Sequence, residues 1–172
     1  YVMVYDLGRR SFNVSIVRRA EDDSGVEASF GDTLFGVEDL DEEILWDGAE
    51  EFSKKHDISV EAGSGNYYRL LHECENVRNE LAHSRETSAH IPFFAVKDQD
   101  PVDLHVEISQ SEYEDLIGPL LAETASSVEK VLDAAGLARS DLGAVILVGE
   151  GVRVPYVESF VQHTTGHSPL SQ

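Results

Sequence analysis

The chain has 172 residues, 33 of them acidic and 13 basic, for a formal charge of −20. That length suits one domain or two small subdomains sharing a core, and 41% hydrophobic residues is enough to build one. A surface this acidic repels phosphate backbones and anionic headgroups, which argues against nucleic acid and membranes as partners.

No apolar run approaches the ~20 residues that cross a bilayer, and no signal peptide is evident. The chain begins at Tyr1 rather than Met. The expectation is a piece of a longer, cytoplasmic protein. The charge reads first as a solvated face. A salt-rich cytoplasm is the sharper reading, and the scarcity of Lys relative to Arg fits it.

Residues 1–5 are apolar and rich in β-formers, as in a buried strand covered on both faces. Asp6 is expected to end it, and Gly8 permits a tight turn. Phe12 to Val17 alternates apolar and polar, a second strand. Asp22-Asp23-Ser24-Gly25 marks a turn, and residues 26–30 complete a meander.

Gly31 and Gly36 frame a loop that opens onto a helix. Its first turns carry Glu38, Asp39, Asp41, Glu42 and Glu43, and Lys54, Lys55 and His56 close it, in keeping with the helix dipole. After a loop at 57–65, a second helix is expected over 66–83. Leu70, Cys74, Val77 and Leu81 form its apolar stripe, and Glu75, Arg78 and Asn79 its other face. Cys74, the single cysteine, is then a small buried hydrophobe rather than a reactive thiol, and no internal disulfide is possible.

Residues 84–97 and 102–108 predict a hairpin around Asp98-Gln99-Asp100-Pro101. Ser109-Gln110-Ser111-Glu112 fits a capping box, which opens a long helix. Ile117, Leu121, Ala125, Val128, Leu132 and Ala135 mark one face of it, Gly118 and Pro119 a kink near its start, and Gly136 its C-terminal cap. Residues 144–148 read as a short buried strand and Gly149-Glu150-Gly151 as its turn. A helix over 154–161 tolerates Pro155 in its first turn, and the tail from Thr164 looks frayed. His163 and His167 have a metal-like spacing of four but no evident third ligand, so they read as tail residues.

Four blocks, taken together and in order, resemble the nucleotide-binding domain of the seventy-kilodalton heat-shock chaperones, within the actin-like ATPase fold. The first, Asp6-Leu7-Gly8-Arg9-Arg10-Ser11-Phe12-Asn13-Val14-Ser15, is similar to the family's second phosphate loop, Asp-Leu-Gly-Gly-Gly-Thr-Phe-Asp-Val-Ser. Gly31-Asp32-Thr33-Leu34-Phe35-Gly36-Val37-Glu38-Asp39-Leu40-Asp41 is similar to Gly-Asp-Thr-His-Leu-Gly-Gly-Glu-Asp-Phe-Asp. Cys74-Glu75-Asn76-Val77-Arg78-Asn79-Glu80-Leu81 resembles the adenosine-binding helix, Cys-Glu-Arg-Ala-Lys-Arg-Thr-Leu. Val148-Gly149-Glu150-Gly151-Val152-Arg153-Val154-Pro155 resembles the final adenosine loop, Val-Gly-Gly-Ser-Thr-Arg-Ile-Pro.

The resemblance implies the second lobe of an α/β, ribonuclease H-like ATPase domain. Residues 1–36 and 109–172 would form its inner subdomain and 37–108 an inserted outer one, a helical and β-hairpin region. It implies ATP or ADP with Mg as cofactor, held by Asp6, Gly8, Ser11, Gly36, Glu75, Arg78, Gly149 and Arg153. No catalytic residue and no protein-only metal site is assigned. Expected partners are a first lobe, a substrate-binding domain, and a co-chaperone or exchange factor.

The departures weaken the nucleotide side of this expectation. Arg9 and Arg10 replace glycines that let backbone N–H groups approach phosphate. Asn13 replaces an Asp, and Ser11 keeps the hydroxyl of a Thr. Glu150 replaces a glycine beside the nucleotide. A carboxylate there would cost on the order of 3–4 kcal/mol against phosphate at an effective dielectric near 20, cut severalfold by solvent, unless Arg9 and Arg10 pair with it. Asn79 replaces an Arg that stacks on the base, a loss of ~1 kcal/mol, and Ala82 lacks a hydroxyl. The leading reading is therefore a lobe that binds nucleotide weakly or not at all and acts through protein contacts. The alternative is one lobe of a working ATP-dependent chaperone. A filament or scaffold member of the actin-like group is a third, less well matched by the adenosine helix.

Overall fold

The structure, a computed structural model, describes residues 1–20, 24–32 and 34–171. The turn expected at 22–25 lies largely outside those residues, as does Thr33 of the second block. The chain divides into two compact units, Tyr1–Asp39 with Gly118–Gln172, and Leu40–Ile117.

The first unit is built on a five-stranded sheet. β1 (Val2–Leu7) pairs antiparallel with β2 (Phe12–Arg18), and β2 with β3 (Gly25–Asp32). On its other side β1 pairs in parallel with β6 (Ala144–Val148), and β6 with a short β7 (Leu170–Ser171), giving the order β3-β2-β1-β6-β7. Met3, Tyr5 and Leu7 are fully buried, while Val2 and Val4 are half-buried and Asp6 is exposed. β1 is thus less evenly covered than expected, and it runs through Asp6 rather than ending there. The tail is not frayed at 170–171, because β6 offers it a free edge and Ile146 pairs with Leu170.

Inside this unit the Tyr5 hydroxyl and the Thr124 hydroxyl lie 2.6 Å apart, and Thr124 also donates to the Leu121 carbonyl. Burial pushes the Tyr5 phenol well above its usual range, so it serves as a neutral hydrogen-bonding group. The final helix begins later than expected, as α4 (Val157–Thr165), because a 3-10 turn occupies Glu150–Arg153 and Pro155 lies ahead of the helix.

The second unit packs helices on a separate two-stranded sheet. α1 (Val37–His56) closes with Lys54, Lys55 and His56 as the dipole requires. α2 (Gly65–Leu81) is capped by Ser64, whose hydroxyl accepts from the Tyr67 N–H. β4 (Glu86–Lys97) and β5 (Asp100–Ser109) form the expected hairpin, joined at Asp98 and Gln99, both with positive φ. Val106 of β5 sits so near α1 that a Cβ on Gly48 would lie 2.9 Å from its methyl.

α3 (Gln110–Ala135) opens with the expected capping box: Glu112 accepts from Ser109, and the Ser109 hydroxyl accepts from the Glu112 N–H. It is one continuous helix through Pro119, so no break interrupts it there. Its buried positions are Tyr113, Ile117, Leu121, Thr124, Val128, Val131 and Leu132, which leaves Ala125 and Ala135 at the margin of the stripe. Gly136 ends it with φ of 67°. Among the described residues, no helix is long and apolar enough to cross a membrane.

Candidate functional site

The first candidate segment is the turn between β1 and β2. The Gly8 N–H donates to the Ser11 carbonyl at 2.9 Å, which closes the turn. The turn then docks on the start of α1: the Gly8 carbonyl accepts from the Val37 N–H and the Arg9 carbonyl from the Glu38 N–H, each at 2.9 Å. These are two of the donors that a helix N-terminus leaves unsatisfied. Gly36 is what permits the contact, since a Cβ there would lie 2.4 Å from the Arg9 carbonyl oxygen and 2.5 Å from the Arg10 nitrogen. Asp39 fixes Gly36 in turn by accepting from its N–H at 2.7 Å.

Glu38 collects both arginines of the turn. Arg9 Nε lies 3.2 Å from Glu38 Oε2 and Arg10 Nε 3.9 Å from Glu38 Oε1. Glu38, which the docked turn brings beside the arginines, is thus a counter-ion for both, where the sequence suggests Glu150. Ser11 is exposed. Asn13 exchanges hydrogen bonds with the Ser29 hydroxyl across the β2–β3 pair, at 3.0 and 3.2 Å.

The loop after β6 packs on the end of β1. Gly149 has φ of 85°, and a Cβ on it would lie 2.5 Å from the Leu7 carbonyl oxygen and 2.7 Å from Asp6 Oδ1. A Cβ on Gly151 would overlap the Leu7 side chain at 2.6 Å. Asp6 and Gly149 are thus brought together, with the Asp6 residue open to solvent. Glu150 is half-buried and Arg153 exposed.

In the second unit, Glu75 is half-buried and Asn79 exposed, but Arg78 is not on the outer face. Its Nε lies 2.6 Å from Asp41 Oδ1 on α1, with side-chain exposures of 3% and 7% for the pair. The reason is geometric: Arg78 follows Cys74 by one helical turn and so falls on the buried stripe. Cys74, Asp41 and Tyr113 lie close together there, and burial pushes both the Cys74 thiol and the Tyr113 phenol above their ordinary ranges. The exposed side of α2 carries a shallow groove of about 620 Å³ lined by Glu73, Asn76, Asn79, Glu80, His83 and Ser84.

Sequence reasoning missed Glu38, Asp39 and Asp41 as specific partners, having read them only as acids suited to a helix dipole. The signal was present for Asp41, which alternates with Leu40 and Ile44 at spacings that place it on the buried face.

The donors of these two loops fit a magnesium–nucleotide group only in part. Asp6 offers an exposed carboxylate suited to the metal side. The phosphate cradle fits poorly, because the Gly8 N–H is bonded within the turn and the Arg10 N–H side is packed against Gly36.

Taken together, the meander, the parallel β6 and the two helix-starting loops define an α/β lobe of the actin-like ATPase type. The model of the Hsp70 protein family matches residues 1–172, and the chain belongs to that family. Among its relatives are the chaperone protein DnaK of Thermus thermophilus, 36% identical over 98% of this chain and 28% of the relative. That of Deinococcus proteolyticus is 34% identical over 98% of this chain and 27% of the relative. That of Halobacterium salinarum is likewise 34% identical over 98% and 27%. The chain therefore spans about a quarter of the length of these relatives.

Proposed function

We propose that this chain is the second lobe of a nucleotide-binding domain in a DnaK-like chaperone, and that its hold on the phosphates of ATP or ADP is weak. Residues 1–36 and 109–172 act as the inner subdomain and 37–108 as the outer one. Asp6, Gly8, Ser11 and Gly149 face the metal–phosphate end of the ligand. By the family resemblance, Glu75 in the second unit and Arg153 in the first are each assigned to the nucleoside. Arg78 acts by fixing α2 on α1 through Asp41, and Gly36 by admitting the phosphate turn to the start of α1.

The observation that carries this reading is the capture of Arg9 and Arg10 by Glu38. Two side chains now stand where glycine would leave bare N–H groups, and their charge is already partly satisfied by a carboxylate of the same lobe. Binding a phosphate on that turn requires loosening those contacts. The chaperone then works through protein contacts, with its first lobe, a substrate-binding domain and a co-chaperone or exchange factor as partners.

The test is calorimetric titration of MgADP into the two-lobed protein as wild type, Glu150→Gly, and Glu150→Gly with Arg9→Gly and Arg10→Gly. Stepwise recovery of affinity supports the reading. Equal affinity in all three overturns it. A second reading, a working ATPase lobe, is favoured by one feature: Asp6 remains exposed beside Gly149. Wild-type affinity lost on Asp6→Ala would establish it instead.

A further inference from the structure

The β4–β5 hairpin carries a cluster of side chains that the nucleotide reading does not use. Along β4, Ala89 and Ile91 are buried and His90 between them is exposed; along β5, Leu104 and Val106 are buried and His105 is exposed. His90 and His105 are direct partners in the hairpin register, and their rings stack in parallel, with centroids 4.3 Å apart and planes 2° apart. Asp103 precedes His105 by two residues and so shares its face. Its Oδ2 lies 2.9 Å from His90 Nε2. One ligand atom from each of the three lies within 4.8 Å of the others.

The carboxylate of this group is held from behind. Asp103 Oδ1 accepts from the Phe93 N–H at 2.8 Å. Phe93 sits where the hairpin register shifts and has φ of 52°, a conformation that aims its N–H across at Asp103. Arg69 on α2 pins this irregular stretch by donating to the carbonyls of Pro92 at 3.0 Å and Phe93 at 3.3 Å. A bulge fixed in this way re-aims a ligand and supports it as outer-shell groups do in metal sites.

We infer that His90, Asp103 and His105 form a binding site for a divalent transition-metal ion of the zinc type, clipping the two strands of the hairpin together. Two imidazoles and one carboxylate are the donor set of zinc sites with three protein ligands and a water in the fourth position. Two nitrogen donors of three disfavour magnesium and calcium, which take oxygen. Tetrahedral bonds of ~2.0–2.1 Å put ligand atoms about 3.4 Å apart, so no pair has to close by more than about 1.4 Å, and the two stacked rings must turn out of parallel for their in-plane nitrogen lone pairs to meet at one ion. Solvent-accessible side chains reach that by rotamer adjustment. The acidic surface, −20 in formal charge, raises the local concentration of cations.

The experiment is calorimetric titration of zinc chloride into tag-free protein in a non-chelating buffer, with excess magnesium present. One equivalent bound at micromolar strength is expected. His90→Phe keeps a stacked ring but removes the nitrogen ligand; it and His105→Ala are each expected to weaken binding by about tenfold or more, and Asp103→Asn severalfold. Far-UV circular dichroism shows whether these exposed-site variants stay folded. As a second readout on wild type, zinc should shift the ring proton resonances of His90 and His105 and leave those of His163 and His167 in place. The double variant His163→Ala, His167→Ala should bind as wild type does. Absence of zinc binding, or binding unchanged in His90→Phe and His105→Ala, overturns the proposal and leaves a stacked imidazole pair with His90 hydrogen-bonded to Asp103.

Discussion

Arg78 is expected, by resemblance, to contact adenosine, yet its guanidinium lies inside the second unit on Asp41. A buried ion pair of this kind is sensitive to losing one member, because the survivor remains a buried, uncompensated charge. Arg78→Met is therefore expected to destabilise the protein by about 3–5 kcal/mol in urea unfolding, while Arg78→Met with Asp41→Leu should recover much of that. A double variant no better than the single one would contradict the pairing. Cys74, on the same stripe, is buried beneath it, and its thiol is held above its usual range chiefly by burial and then by Asp41 and Glu73. It should resist an aromatic disulfide reagent at neutral pH until denaturant unfolds the chain. The burial of Cys74 was legible from spacing alone. That of Arg78 was not, because a charged residue at an apolar-stripe position announces itself only once its counter-ion on another helix is known.

Two local devices set the shapes of the elements that matter. The turn at Gly8 supplies carbonyls to the first N–H groups of α1, and the loop at Gly149 lies against Leu7 and Asp6. Gly149→Ala would force a side chain into positive φ and into the Leu7 carbonyl; a loss of at least about 1–3 kcal/mol is expected in thermal unfolding. The hairpin turn offers the opposite change. Asp98 and Gln99 have φ of 52° and 74°, values a two-residue turn prefers to give to Asn and Gly. Gln99→Gly should raise stability by up to about 1 kcal/mol, since a left-handed conformation is strained for a side-chain-bearing residue. A lowered melting temperature would show that the turn is not the relaxed two-residue type. The hairpin, the capping box at Ser109 and the cap at Gly136 were all readable, since each rests on contacts a few residues apart. The tail pairing on β6 and the cluster at His90 were not, because both depend on which strand lies alongside.

At the scale of the molecule, the charge of −20 is a standing source of self-repulsion. Raising salt from about 0.1 M to 1 M shortens the screening length from about 10 Å to 3 Å, so the melting temperature should rise with sodium chloride. Phosphoryl transfer depends on positioning nucleophile, metal and γ-phosphate together, and the chain spans only about a quarter of the chaperones it matches. Phosphate release from ATP by this chain alone should therefore not exceed the buffer rate. On the proposed reading, the Arg9–Arg10 turn, held on Glu38 and on the start of α1, is a poor phosphate cradle. The most direct measurement is the dissociation constant of MgADP for the wild-type two-lobed protein at physiological salt. A value of hundreds of micromolar or weaker is predicted. Binding at micromolar strength or tighter would contradict it.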